Sequence, residues 1–205
     1  MIHPDIKLSH SSSTSFCAKQ LWYKKLGGAK FRHNFYTGAG TESFDSHLQA
    51  VEGYMGWVNY KPLEVQYFFK MTFKGHTRQT TGYMDIVAER QELPLIIDIK
   101  RQSKPIKKAK KEWVLQGALY ALSLMKTRKL IEIPKFENHL IIPNHPPTFL
   151  VTELTAEDLY MAYKMLTELN ERIDKDYWPL NRSHSLCSPM WCEVYDRCHY
   201  ENFIA

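Results

Sequence analysis

The chain has 205 residues, 44% hydrophobic and 24% charged. That is a globular composition of one-domain size, and it excludes a disordered chain, a collagen and a coiled-coil rod. Lys and Arg number 27 against 22 Asp and Glu, a net charge of +5 that is too small to identify a partner by itself. No apolar run approaches the roughly 18 residues of a membrane span. Met1-Ile-His-Pro-Asp-Ile-Lys7 has no apolar core of a secretory signal, so the expected setting is reducing and cytoplasmic, with no membrane partner.

The first expected element is a helix. Ser11, Ser12, Ser13 and Thr14 offer capping hydroxyls, Phe16 to Leu26 is free of Pro and Gly, and Gly27-Gly28 ends it. A second helix starts near Thr41, with Phe44, Leu48, Val51 and Met55 on one stripe. The period then changes to two. Glu64 to Phe73 and Gln79 to Glu89 read as a hairpin about Lys74-Gly75-His76. Leu93 to Lys100 reads as a strand buried on both faces. A long helix with a basic first half is expected over Pro105 to Met125. Short strands follow at Asn138 to Ile142 and Thr148 to Leu154. Thr155-Ala-Glu-Asp158 has the form of a capping box, and Leu159, Ala162, Leu166, Leu169 and Ile173 keep helical spacing behind it. From Pro179 the chain reads as irregular. Helices around a meander of strands make an α/β or α+β sandwich.

Chemistry concentrates at Gly82-Tyr-Met-Asp85 and Asp98-Ile-Lys100. A charged residue inside an apolar strand is costly unless it is paired or binds metal. Asp98 and Lys100 project from one face of their strand. A turn about Gln91-Glu92 can bring Asp85 alongside. Two hard carboxylates suit Mg²⁺ or Mn²⁺, and the lysine could position a water and offset phosphate charge. The plain alternative is a surface ion pair. On the next helix Gln116 and Tyr120 stack on one face, four residues apart.

Four cysteines remain: Cys17, Cys187, Cys192 and Cys198. In a reducing compartment they read as metal or cluster ligands rather than disulfides. Their spacing is not that of a zinc finger. From Lys100 to Lys111 there are seven basic residues and no acid: Lys100, Arg101, Lys104, Lys107, Lys108, Lys110 and Lys111. Such a run is commonly a solvated face. Beside a metal site it would also attract a phosphate backbone without reading sequence.

Gly-x-x-Asp, Asp-x-Lys and Gln-x-x-x-Tyr, in that order, resemble the PD-(D/E)XK nucleases, in particular the RecB-like branch. Ser9-x-Ser11 followed by Phe16-Cys17 resembles the same branch, so the likeness runs from about Leu8 to Cys198. The resemblance implies an α/β restriction-endonuclease-like core, a mixed central sheet flanked by helices. Asp85 and Asp98 would be metal ligands, joined by the backbone carbonyl of Ile99. Lys100 would be the catalytic lysine, with Gln116 and Tyr120 orienting it and contacting DNA. The family commonly adds a ligand from the second helix. Gly38-Ala-Gly-Thr-Glu42 puts Glu at the usual position, and His47 follows at the border of the apolar stripe. His47 is the preferred third ligand and Glu42 the alternative.

The one-early, three-late cysteine pattern resembles the iron–sulfur staple of CRISPR-associated RecB-like exonucleases, AddB-type helicase-nucleases and eukaryotic iron–sulfur exonucleases. Cys187-x₄-Cys192 departs from their usual shorter gap, while Cys192-x₅-Cys198 matches. The implied group is a [4Fe–4S] cluster, with Zn²⁺ as the alternative, clipping segments 1–28 and 180–205 together. Residues 1–205 would form one nuclease domain with its core at 38–178. The implied activity is a metal-dependent deoxyribonuclease, an exonuclease on single-stranded DNA or DNA ends in recombination, phage DNA processing or CRISPR-type adaptation. The competing reading is a non-catalytic DNA-binding or interaction subunit. Any helicase or integrase-type partner would be a separate chain.

Overall fold

The structure, a computed structural model, describes residues 8–9, 61–76, 78–142, 148–177 and 198. Its elements are β1 (Leu8–Ser9), β2 (Lys61–Met71), β3 (Thr80–Arg90), β4 (Leu93–Arg101), α1 (Lys111–Arg128), β5 (Lys135–Ile141), β6 (Thr148–Thr152) and α2 (Ala156–Asp174). The strands form one mixed sheet in the order β1-β3-β4-β5-β6, with β2 also on β3. β4 and β5 run parallel, joined by α1, and the β2–β3, β3–β4 and β5–β6 pairs are antiparallel. This mixed sheet with packed helices is the restriction-endonuclease-like architecture that the motif order implies. The expected helices near Phe16 and Thr41 lie outside the described residues.

β3 is the pivot of the sheet. β2 follows one of its edges from Lys61↔Glu89 to Met71↔Thr80. The other edge is shared: β4 pairs with Ile86 to Arg90, while β1 pairs with Thr80 and Thr81. Among the described residues, the Gly82–Asp85 stretch of that edge has neither neighbour. The sheet forks there, with Asp85 at the crotch. The β3–β4 turn is tight because Gln91 and Glu92 both take positive φ, 53° and 65°, the twist that a two-residue hairpin prefers.

One core joins the sheet to both helices. Phe69, Met71, Met84, Val87, Ile96 and Phe136 pack against the buried side of α1, and Leu159, Ala162, Leu166, Leu169 and Ile173 of α2 complete it. α1 is buried nearly all round, from Trp113 to Leu124, as befits a crossover helix held between a sheet and a second helix. Gly117 is required there: a Cβ would lie 2.4 Å from the Phe136 ring. The expected capping box of α2 is formed, Asp158 N–H donating to Thr155 Oγ1 and Thr155 N–H to Asp158 Oδ2. The far end of α2 clasps the β2–β3 turn. Arg78, 1% exposed, pairs with Asp174, and the His76 ring stacks on Tyr163 at 5.5 Å.

Several boundaries differ from expectation. The crossover helix starts at Lys111 rather than Pro105. Gln102 N–H donates to the Ile141 carbonyl, which keeps the chain extended beyond β4. Ile106 and Ala109 then pack on a small cluster of Trp113, Leu140 and Ile142. Tertiary burial thus overrides the helix propensity of a lysine-rich segment. The Lys104–Lys110 run is therefore loop, not the first half of a helix. β2 covers Lys61–Met71 rather than Glu64 to Phe73, and β5 begins at Lys135, three residues early, because it pairs with β4 from Leu95↔Lys135 onward.

Candidate active site

The fork positions the expected acids and the lysine. The β3–β4 ladder ends at Ile86↔Ile97. Beyond it the Ile99 N–H, which would otherwise bond to β3 backbone, donates to Asp85 Oδ2 at 2.7 Å. A side chain has replaced a backbone acceptor, and the strands part. On the opposite strand Gln66, at φ 53°, sits between the Val65↔Ile86 and Tyr67↔Met84 pairs and reaches Asp85 Oδ1 at 3.5 Å.

Asp98 is 2% exposed and its carboxylate is held on both sides. Lys100 Nζ lies 3.1 Å from Oδ1 and 2.9 Å from Oδ2. Asn138 Nδ2, from the register partner of Asp98 on β5, donates to Oδ2 at 2.8 Å. Lys100 Nζ also donates to Gln116 Oε1 at 2.7 Å, and Gln116 Nε2 donates to the Tyr120 hydroxyl at 2.9 Å. An unbroken hydrogen-bonded chain thus runs from Asn138 through Asp98, Lys100 and Gln116 to Tyr120. The helical spacing of Gln116 and Tyr120 makes its last link.

The electrostatics are those of a site short of positive charge. Burial raises the Asp85 pKa, and the charge of Asp98 raises it further, to about 7. Burial also pushes Asp98 up, against the pull of Lys100 and Asn138. Tyr120 is raised well above the usual phenol range by burial and by both carboxylates, so it stays protonated. A buried carboxylate beside a part-buried one whose ionisation it disfavours, with one ammonium on the buried member, fits a hard divalent cation. Ile99 lies between Asp98 and Lys100. Among the described residues no cluster of three or more His, Cys, Asp and Glu is present. His47 and Glu42 lie outside the described residues.

Of the other expected residues, Cys17, Cys187 and Cys192 lie outside the described residues, and Cys198 is buried at 4% exposure. Lys104, Lys107, Lys108, Lys110 and Lys111 are exposed, and Arg101 ends β4. Lys107 and Lys108 line a cleft of about 410 Å³ against β6, apart from the carboxylates. Two residues that the motifs did not single out join the site: Gln66 and Asn138. For Asn138 the signal was a polar residue two before the apolar Leu140 in a parallel strand, which burial would punish without a partner.

Solved structures resemble this chain, and the first two that follow share its fold. The crystal structure of SSO0001 superposes with a TM-score of 0.63 at 13% identity, covering 97% of this chain and 88% of that one. A candidate exonuclease from Eubacterium rectale gives a TM-score of 0.58 at 14% identity, over 95% and 87%. An alkaline exonuclease from Laribacter hongkongensis gives 0.49 at 18%, over 82% and 90%. No sequence among the curated proteins matches the chain. The family model of the PD-(D/E)XK nuclease superfamily matches residues 15–199, nearly the whole chain, over the same span that carries Asp85, Asp98-Ile-Lys100 and Gln116. The chain belongs to the PD-(D/E)XK nuclease superfamily.

Proposed function

We propose that this nuclease is a Mg²⁺- or Mn²⁺-dependent deoxyribonuclease that degrades single-stranded DNA or DNA ends exonucleolytically. The observation that carries the reading is Lys100 held at 2.9 Å from Asp98 and 2.7 Å from Gln116, beside a second carboxylate, Asp85, whose pKa is raised to about 7. Asp85, Asp98 and the Ile99 carbonyl would hold the metal, with His47 or Glu42 as the further ligand. A bound divalent ion supplies positive charge against the negative charge that develops on the phosphate.

The remaining work falls to the chain's own groups. Lys100, a donor only, orients the attacking water and offsets charge on the phosphate oxygens. Gln116 accepts from its ammonium and so limits its rotation, and Tyr120, kept protonated, fixes the Gln116 amide. Asn138 fixes Asp98. The basic loop from Arg101 to Lys111 would hold the phosphate backbone.

Supported by the cysteine pattern and the burial of Cys198, we further infer a [4Fe–4S] cluster on Cys17, Cys187, Cys192 and Cys198, with Zn²⁺ as the alternative. It would clip 1–28 to 180–205 in one cytoplasmic nuclease domain, any helicase or integrase-type partner being separate. Anaerobically purified protein should then be brown, with about four irons per chain. One zinc without iron would replace the cluster.

Digestion of end-labelled single-stranded and duplex DNA, with metal omitted, Mg²⁺ or Mn²⁺, tests the activity. Mononucleotide release that requires metal is expected. Binding without cleavage under every metal would leave a DNA-binding module in its place.

A further inference from the structure

Phe68 and Tyr83 put two aromatic rings where a solvated sheet face ordinarily carries polar side chains. They are register partners on β2 and β3, 49% and 52% exposed. Their ring centroids are 5.0 Å apart and their planes tilt by 46°. Their chain neighbours Phe69 and Met84 enter the core under α1, so this pair lies on the opposite face of the sheet.

Its position is as informative as its exposure. Tyr83 belongs to the Gly82–Asp85 stretch where the sheet forks, two residues from Asp85, roughly 7 Å along the strand. Along β2 the pair is bounded by Gln66, which reaches Asp85, and by exposed Lys70, the register partner of Thr81. Val65, 40% exposed, lies beyond Gln66. Among the described residues, the exposed apolar surface next to the acids is these two rings, between an amide and an ammonium, with Leu63 and Val65 further along β2. That is too narrow for a helix or a second sheet. It is the size and chemistry of one nucleobase with a phosphate beside it.

We propose that Phe68 and Tyr83 form a stacking site for one unpaired base of the strand whose phosphodiester lies in the fork at Asp85, the strand crossing the Gly82–Asp85 edge from the side of Lys100 and Gln116 to the face opposite α1, with Lys70 meeting a neighbouring phosphate. The proposal rests on the nuclease reading above and deepens it. A base inside a duplex has both faces covered by its neighbours, so only a single strand or a frayed end can offer a face to these rings. Stacking on an aromatic side chain is indifferent to base identity because every base has a π-face. The site therefore selects for strandedness without selecting for sequence.

The test compares wild-type protein with Phe68→Leu/Tyr83→Leu, which keeps apolar area but removes both π-faces, and with Phe68→Trp/Tyr83→Trp, which restores them. Each is assayed on a single-stranded oligonucleotide and on the same oligonucleotide carrying abasic positions near its ends, with Mg²⁺ or Mn²⁺. The leucine variant is expected to raise KM on the natural strand about tenfold, as loss of a stacked base does, with kcat nearly unchanged. It should match wild type on the abasic strand, and the tryptophan variant should recover the natural KM. Equal KM values for wild type and leucine variant on the natural strand would overturn the proposal while leaving the nuclease reading intact. Retention of the natural KM by leucine with loss in Phe68→Ser/Tyr83→Ser would assign the patch to apolar protein contact and overturn it likewise. A wild-type protein that cleaves neither strand with either metal would instead remove the nuclease reading on which the proposal stands.

Discussion

The two arms of the fork hold their acids in different ways. On the β4 arm Asp98 is 2% exposed and both its oxygens are engaged, by Lys100 and by Asn138. Lys100 is engaged in turn by Gln116, and Gln116 by Tyr120. On the β3 arm Asp85 is only part-buried, with one short bond from the Ile99 N–H and one long contact from Gln66. The first carboxylate is locked by parallel strand pairing and a packed helix. The second sits where the β3–β4 ladder has ended, on a strand edge that has no neighbour among the described residues. A connected buried polar network favours one geometry, and in this one only Asn138 Oδ1 is without a partner among the described residues. A carboxylate at a strand edge can adjust when a cation or a phosphate arrives. On the proposed reading the arms would divide the labour: one fixes the lysine, the other accommodates the ligand.

The sharpest way to break the β4 arm is Lys100→Ala or Asp98→Ala. Each should lower cleavage of end-labelled DNA by about 10²-fold or more, because an oriented catalytic group is lost. Both variants should keep the far-ultraviolet circular dichroism of the wild type. A near wild-type rate in either would remove this site from the chemistry.

Gly117→Ala strikes the support of the same arm. Its methyl would lie 2.4 Å from the Phe136 ring, fully buried on β5 two residues before Asn138. Overpacking of this kind costs about 1–3 kcal/mol, to be read as a lower urea midpoint with unchanged slope.

Gln116→Leu cuts the chain between Lys100 and Tyr120 without removing volume. Cleavage should fall by about tenfold, since a mispositioned group costs less than a missing one. Tyr120→Phe leaves Lys100 and its Gln116 contact in place and should cost less still. If Tyr120→Phe proves the more damaging, the hydroxyl has a direct part in the reaction.

The effect expected of the β3 arm is seen in pH rather than in the rate of cleavage. Asp85 has a folded pKa of about 7, above the ordinary carboxylate value. Between about pH 4, where the unfolded chain gives up this proton, and pH 7, the metal-free folded protein retains it. The stability of metal-free protein should therefore decline as pH rises through that window and level off above it. Metal affinity should run the opposite way, strengthening up to about pH 7 with release of a proton that calorimetry in two buffers would detect. Asp85→Asn should flatten both dependences.

Local chemistry made much of this protein legible in its sequence. Asp98 and Lys100 share a face because strand side chains alternate, and Gln116 meets Tyr120 because helical neighbours lie four apart. The capping box at Thr155 and the turn at Gly75 follow from side-chain and backbone preferences of the residues themselves. The sequence pattern placed β2 to β6 and α2 within a few residues but offered no sign of β1. What only the tertiary structure decided involves partners distant in the chain. Lysine-rich Lys104–Lys110 is loop because Ile106 and Ala109 pack on Trp113, Leu140 and Ile142, and the Gln102 N–H bonds to Ile141. Asn138 joins the site because parallel pairing sets it against Asp98, forty residues earlier. The fork at Asp85 exists because β1 and β4 share one edge of β3 and leave Gly82–Asp85 between them. A sequence specifies the preferences of each segment, whereas the burial and hydrogen bonds that override them come into being only when remote segments meet.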